Sequence, residues 1–226
     1  MNNNLIIFFF SAAIWLTGCE SMEDTYWDFV KDGETIYVSK ADSLQVRGGY
    51  NRAELTWLLI ADPKVHQYAV YWNNKRDSIS GILEKSIYVD TVQLTIENLE
   101  EKTHEFEVII FDKYRNSSVP SRLISEVYGD RYQRSLLNRS YSSYSVVDEN
   151  QVILNWSPAE EELVYSIVTY ESIRDSMITK VINRESSEDV LSDYPIGQSF
   201  EMVSAFLPDT TALDTFFTEP EKFLIE

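Results

Sequence analysis

The sequence has little of three residue types on which many protein sites depend. Its 226 residues include 1 cysteine, 2 histidines and 7 glycines. A lone cysteine cannot close an internal disulfide. So few histidines and glycines leave little material for histidine metal sites, histidine-based triads or phosphate-binding glycine loops. We therefore predict no metal site, no cofactor and no catalytic residues.

Positive charge is also scarce. Lysine and arginine total 19 against 37 aspartates and glutamates, for a net charge of −18. Because nucleic-acid binding draws its affinity from cations that neutralise phosphates, we expect no nucleic-acid partner. The chain does have 44% hydrophobic and 13% aromatic residues, which is enough to build folded cores.

The N-terminus carries a targeting signal. The apolar run from Leu5 to Leu16 is too short to span a membrane and has the length of a signal-peptide core. The run ends in Leu16-Thr17-Gly18-Cys19, which resembles the bacterial lipobox. We predict a signal peptide over residues 1–18, lipidation of Cys19 and an acidic tether over residues 19–35. An ordinary secretory signal with an incidental cysteine is the alternative.

The residues that follow the cysteine are acidic. Glu20-Ser21-Met22-Glu23-Asp24 resembles the signals that direct lipoproteins of Bacteroidota to the outer face of the outer membrane. We therefore expect an outer-membrane lipoprotein that faces the cell exterior and is held there by its lipid. The alternative is that these residues form a solvated tether that is not a sorting signal, which leaves a periplasmic orientation open.

Two segments of the remaining chain share one layout. Leu55-Thr56-Trp57 and Leu154-Asn155-Trp156 are each followed by turn residues and then by an alternating strand. The spacing suits one small β-sandwich per copy, and we expect both tryptophans in cores. We predict an all-β protein with domains at residues 36–128 and 129–226. The boundary near Gly129 has no flexible linker, so the connection should be stiff.

The first copy resembles a fibronectin type III module from Arg52 to Ser121. His104, Phe106, Val108 and Ile110 share one face of an alternating strand. Where such modules have a corner tyrosine, this chain has His104, which we expect to pack or cap there. His66, the other histidine, falls in a turn-rich stretch.

The second copy is less regular. We predict strands over residues 151–157, 163–173, 176–183, 199–206 and 214–217.

Short motifs along the chain resemble one family, a domain-of-unknown-function family of Bacteroidota lipoproteins with fibronectin type III-like repeats. They include Tyr71-Trp72-Asn73-Asn74, Tyr128-Gly129-Asp130, Leu137-Asn138-Arg139 and Asp214-Thr215-Phe216-Phe217. The resemblance implies a surface location and frequent company with sugar-binding or polysaccharide-utilisation proteins. It supplies no catalytic residues.

Acidic residues are the main candidates for chemistry. The clusters Glu100-Glu101 and Glu160-Glu161-Glu162 fall at turns, and we interpret them as solvated loop tips. A glycosidase would need one carboxylate pair in a cleft. Asp112 and Asn116 offer two oxygens to calcium in one loop, although the same pattern is typical of a simple turn.

Exposed aromatic rings could form a platform for sugars. The candidates are Tyr71, Trp72, Tyr128 and Tyr132. Strand alternation points the ring of Tyr71 outward and leaves Trp72 half-buried.

A tripeptide of Asp, Ser or Thr, and a small or aliphatic residue occurs five times, where composition alone predicts roughly one. It resembles an O-glycosylation signal of Bacteroidota exported proteins. The candidate acceptors are Ser43, Ser78, Thr91, Ser176 and Thr210. Turn starts before strands favour the same residues and explain part of the excess.

The leading functional hypothesis is a non-catalytic surface module for glycan capture or for assembly with neighbouring glycan-handling proteins. The alternatives are a structural spacer or scaffold for a partner, and a glycan-active enzyme that uses a carboxylate pair.

Overall fold

The computed structural model of the chain describes residues 38–60, 62–84, 86 and 88–226. The predicted signal peptide 1–18, the lipidation site Cys19 and the tether 19–35 lie outside these residues. Within the described part all regular elements except one short helix are strands, which confirms the all-β prediction. None of its helices is long and apolar enough to cross a membrane, over the same residues.

The elements run in chain order as follows: β1 Asp42–Gly49, β2 Arg52–Leu59, β3 Val65–Trp72, β4 Asp77–Ile82, β5 Asp90–Glu97, β6 Thr103–Asp112, β7 Ser121–Glu126, α1 Asp130–Ser135, β8 Tyr141–Asp148, β9 Gln151–Trp156, β10 Leu163–Glu171, β11 Met177–Asn183, β12 Glu188–Ser192, β13 Ser199–Phe206, β14 Phe216–Phe217 and β15 Glu221–Leu224.

The strands form two sandwiches, one before α1 in the chain and one after it. In the first sandwich the sheet β1-β2-β5 faces the sheet β4-β3-β6-β7. In the second, β8-β9-β12 faces a sheet in which β11, β10 and β13 are neighbours and both β14 and β15 pair with β13. The two sandwiches therefore repeat one strand arrangement.

The first core is built around Trp57. On β2 the residues Ala53, Leu55, Trp57 and Leu59 point inward and are buried, because successive side chains of a strand alternate between its faces. The ring of Tyr68 meets Trp57 edge-on at 5.2 Å. The indole N–H of Trp57 has no hydrogen-bond acceptor among the described residues.

The second core is built around Trp156, as the repeat predicts. Trp156 is 6% exposed, and its Nε1 donates to Asp189 Oδ2 at 3.2 Å. The guanidinium of Arg139 lies over the ring, 5.4 Å from its centroid. Both predicted core tryptophans are thus confirmed.

The two sandwiches close the same corner in different ways. His104 is buried, and its Nε2 lies 2.8 Å from the Glu100 carbonyl oxygen, so the histidine takes the role that we expected of it. In the second sandwich the hydroxyl of Tyr194 donates to the Gln198 carbonyl at 2.7 Å. In both corners a buried polar ring binds a backbone carbonyl that lies just before a strand. This carbonyl belongs to Glu100 before β6 and to Gln198 before β13.

Some sequence-based expectations were wrong in detail. His66 is an exposed residue of β3 rather than part of a turn. The strands β8, β12 and β15 were missed, because their exposed faces mix polar and apolar side chains. The strand expected over residues 214–217 is only Phe216–Phe217, since Asp214 turns toward the first sandwich.

Candidate functional site

The candidate site is a hollow on the outer face of the sheet β4-β3-β6-β7. Strand pairing sets Ser78, Tyr71, Glu107 and Arg122 in one row across the four strands. Residues directly opposite in such a row have neighbouring side chains. The ring of Tyr71 therefore stands beside a row of charged and polar groups.

Glu107 is the charged centre of the row. Its side chain is 7% exposed, and its two carboxylate oxygens each lie 2.6 Å from a cation, Lys75 Nζ and Arg122 Nε. Burial by itself would raise the pKa of Glu107. The hydrogen bonds and charges of Lys75 and Arg122 outweigh this and hold the pKa below its ordinary value, so the group stays ionised.

A strained turn places Lys75. Asn73, Asn74 and Lys75 connect β3 to β4, and all three have left-handed backbone angles, with φ of 50°, 55° and 63°. This region is unfavourable for residues other than glycine, although asparagine tolerates it. Asn73 Nδ2 donates to Asp77 Oδ2 at 3.0 Å across the turn. The turn carries Lys75 Nζ to a point 5.9 Å from the Tyr71 ring centroid.

The hollow has a volume of about 350 Å³ and is lined by Tyr71, Trp72, Asn74, Lys75, Glu105, Glu107 and Arg122. Trp72 is half-buried and also packs on the first core, as alternation predicts. The side chains of Lys75 and Arg122 remain 57% and 56% exposed. The hollow thus combines an aromatic ring with the exposed N–H donors of Lys75 and Arg122 and the exposed carboxylate of Glu105.

The other two aromatic candidates lie elsewhere. Tyr128 and Tyr132 stand where the two sandwiches meet, with their rings 5.1 Å apart, and Tyr132 meets Phe216 edge-on at 5.0 Å. The Tyr128 hydroxyl donates to Asp209 at 2.9 Å. Burial raises the pKa of Tyr128, and the hydrogen bond to Asp209 raises it further. The structure therefore brings Tyr71 and Trp72 together but not all four rings.

An ion pair joins the two sandwiches beside these rings. Arg52 Nη2 donates to Asp214 Oδ1 at 2.6 Å, and the Tyr50 N–H donates to Asp214 Oδ2 at 2.7 Å. A Cβ atom added to Gly49 would overlap the same carboxylate, so a larger residue there would displace Asp214 from its position. The Leu213 N–H donates to the Gly48 carbonyl at 2.8 Å.

Two features of this contact were misread or missed in the sequence. Glu101 is not a solvated loop tip. Its carboxylate accepts the N–H groups of Arg131 and Tyr132 at 2.7 and 2.6 Å, and so ties the start of α1 to the first sandwich. Nothing near Asp214 in sequence indicated a partner 162 residues away.

The motif Leu137-Asn138-Arg139 also gains a physical role. Arg139 is buried, and its guanidinium donates to the carbonyls of Ser157, Asn183 and Ser186 at 2.8 to 3.3 Å. Burial lowers the pKa of Arg139. Asn138 Oδ1 accepts from the Thr218 hydroxyl at 2.7 Å. The motif locks the chain after α1 onto the second sandwich.

The five candidate glycosylation residues all lie on the surface. Each of Ser43, Ser78, Thr91, Ser176 and Thr210 is exposed. Ser43 has a left-handed φ of 49° at an irregularity in β1. The hydroxyl of Ser176 shares a hydrogen bond with that of Ser172 at 2.7 Å.

The Asp112 loop has the geometry of a turn. Asp112 Oδ1 accepts the N–H groups of Tyr114 and Asn116 at 2.8 Å, and Oδ2 accepts from Asn116 Nδ2 at 2.7 Å. Both carboxylate oxygens are therefore used within the loop. Across the described residues no group of three acidic, histidine or cysteine side chains is placed to hold a metal.

Comparison with known protein families identifies the family of the chain. A domain of unknown function, DUF4998, matches residues 19–216. The chain belongs to the DUF4998 family. No curated protein matches this DUF4998 chain.

Solved structures with a similar fold come from tandem fibronectin type III proteins. A two-domain segment of chicken tenascin has 13% identity, a TM-score of 0.32, and coverage of 82% of this chain and 98% of that one. The FN1–FN3 domains of chicken CNTN1 have 9% identity, a TM-score of 0.44, and coverage of 84% of this chain and 65% of that one. The central fibronectin-III array of RIM-binding protein has 12% identity, a TM-score of 0.32, and coverage of 83% of this chain and 61% of that one. Within the described residues this DUF4998 chain forms two β-sandwiches with one shared strand arrangement, as its sequence predicts.

Proposed function

We propose that this chain is a non-catalytic surface module that captures glycans at the Tyr71 hollow. The observation that carries the proposal is the Tyr71 ring beside the Lys75–Glu107–Arg122 row in one open depression. Ring faces make apolar contact with pyranose rings, and charged donors and acceptors form strong hydrogen bonds to hydroxyl groups. Lys75 Nζ lies 5.9 Å from the ring centroid, and its 57% exposed side chain offers an N–H donor to a bound sugar.

The electrostatics of the hollow favour binding over glycoside hydrolysis. A glycosidase needs one carboxylic acid with a raised pKa to protonate the leaving oxygen. The pKa of Glu107 is instead lowered, and its two cationic neighbours keep it charged.

A glycan array tests this proposal. The purified full-length chain in detergent is applied alongside its Tyr71→Ala variant, with Tyr165→Ala in the second sandwich as a matched control. We expect signals for a subset of polysaccharides that Tyr71→Ala abolishes and Tyr165→Ala preserves. Binding that survives Tyr71→Ala, or glycoside turnover that one acidic substitution removes, would contradict the proposal.

The location is part of the same proposal. Lipidation of Cys19 would fix the chain to the outer membrane, because two or more acyl chains anchor stably where one does not. The family match begins at the same residue, 19, which supports this starting point. In native cells we expect the chain in the membrane fraction and its Cys19→Ser variant outside that fraction, with surface proteolysis reporting the exterior orientation.

The O-glycosylation prediction has a separate test. All five acceptor hydroxyls are exposed, which attachment of a sugar requires. We expect an intact mass above that of the bare lipidated chain, reduced stepwise by Ser43→Ala, Ser78→Ala and Ser176→Ala. A native mass equal to that of the lipidated polypeptide would dispose of the prediction.

A rigid spacer is the second candidate function, and the contact between the sandwiches favours it. The Arg52–Asp214 pair, the Glu101 contact to α1 and the packed rings of Tyr132 and Phe216 hold the two units together. A spacer of this kind would hold a partner at a set distance from the membrane. Loss of all glycan signals, together with co-purification of one neighbouring surface protein, would favour this function.

A further inference from the structure

A second hollow, in the second sandwich, has a different chemical character from the first. Its volume is about 540 Å³. It is formed by the chain before and at the start of β10, by the β11–β12 turn and by the loop after β13. Its apolar lining is Leu163, Val164, Leu207 and Pro208, and the side chains of Glu161, Glu162 and Glu185 complete it together with Arg184, Asp209 and Thr210.

Three of the carboxylates in the lining form no ion pair in the part of the chain that the structure describes. Asp209 is already engaged, since it accepts the Tyr128 hydroxyl at 2.9 Å and the Thr211 N–H at 2.6 Å. Arg184, the one cation in the lining, donates to the backbone carbonyl of Glu161 at 2.7 Å. No ion pair within the described residues includes Glu161, Glu162 or Glu185. The hollow therefore has four carboxylates and one cation next to exposed apolar surface.

We propose that this hollow docks a lysine or arginine side chain on an extended segment of a basic partner protein. Long cationic side chains lay their methylene stems along apolar surface and keep the charged head in water. The apolar lining matches the stem, and the exposed glutamates match the head. A net charge of −18 adds a long-range attraction that speeds the encounter with a basic partner.

A depression at the opposite ends of β9 and β12 shows why charge alone is insufficient. The hollow at Asp148, Glu149, Gln151 and Asp193 is also acidic, but its lining contains no aliphatic or aromatic residue. It therefore offers no apolar surface to the methylene stem of a lysine. An inorganic cation is the less suitable occupant of the larger hollow, because within the described residues no three acidic groups converge closely enough to ligate one.

The test measures binding of a labelled nine-residue peptide of alternating lysine and leucine to the full-length chain. The hollow variant carries Glu161→Gln, Glu162→Gln and Glu185→Gln. A control variant carries Glu149→Gln, Glu188→Gln and Glu221→Gln, three exposed glutamates outside the hollow. Both variants lose the same charge. Thermal unfolding confirms that each is folded.

We expect the hollow variant to weaken peptide binding at least tenfold and the control variant no more than about twofold. Val164→Ser, which removes apolar lining at an exposed position, should weaken binding severalfold without changing the charge. Equal losses in the two triple variants would show unspecific attraction and overturn the proposal. Absence of peptide binding to the native chain would also overturn it. Tyr71→Ala should leave peptide binding unchanged, so this result is separate from glycan capture.

Discussion

Arg52 of the first sandwich and Asp214 of the second form a direct ion pair, with Nη2 and Oδ1 2.6 Å apart. The Asp214 carboxylate also accepts the Tyr50 N–H, so it is held on both oxygens. This contact sets the two sandwiches in one arrangement, and it is where the structure adds most to the sequence.

A double-mutant cycle should measure the strength of this contact. We expect Arg52→Ala and Asp214→Ala to be coupled by about 1 kcal/mol in the free energy of unfolding, because the pair is partly shielded from water. The more exposed pair Arg174–Asp193, at 3.6 Å, serves as the control and should show coupling near zero. If both cycles give the same coupling free energy, the pair between the sandwiches contributes no more to stability than an exposed ion pair.

Acid should weaken the same contact. Burial would raise the pKa of Asp214, but Arg52 and the Tyr50 N–H lower it overall, and Thr211 and Tyr128 likewise outweigh burial at Asp209. A lowered pKa in the folded state contributes stability that is fully present above the ordinary aspartate value of 3.8. That stability is lost as the pH falls through the lowered pKa.

The measurement is urea unfolding of the native chain and of Asp214→Asn between pH 6 and 2. The difference in unfolding free energy between the two proteins should shrink below about pH 4. A difference that stays constant across this range would show that ionised Asp214 does not stabilise the fold.

The two core tryptophans should respond differently to substitution by phenylalanine. The Trp57 N–H has no acceptor among the described residues, whereas Trp156 donates to Asp189. Trp57→Phe removes an unsatisfied buried donor, while Trp156→Phe breaks a hydrogen bond to a charged acceptor. We expect Trp156→Phe to cost about 1 kcal/mol more in unfolding free energy. A larger loss from Trp57→Phe would contradict the hydrogen-bond assignment.

Arg139 should be among the most sensitive positions of the second sandwich. Arg139→Met keeps much of the volume but leaves the carbonyls of Ser157, Asn183 and Ser186 without their donor. We expect a loss of about 3 kcal/mol, and a smaller one for Arg139→Lys, which keeps the charge but not the planar fork. Chemical denaturation measures both, and an unchanged midpoint for Arg139→Met would refute this role.

Much of the fold was predictable because its signals are local. Alternating residues on β2 and β9, with one tryptophan on each strand, indicate two half-buried strands and two cores. The outward position of Tyr71 follows from the same alternation. The Tyr71 hollow as a whole was not predictable, because Lys75 reaches Glu107 through an unusual turn and Arg122 lies on another strand. Asp214 and Glu101 were misread for the same reason, since their partners are distant in sequence.

The most direct test of the central claim is the affinity of an array-identified oligosaccharide for the native chain and for its Tyr71→Phe and Tyr71→Ala variants, measured by titration calorimetry. If the ring stacks on a sugar, Tyr71→Phe should retain most of the affinity and Tyr71→Ala should lose about tenfold, or 1.4 kcal/mol. Equal affinities for the native chain and Tyr71→Ala would contradict glycan capture at this hollow.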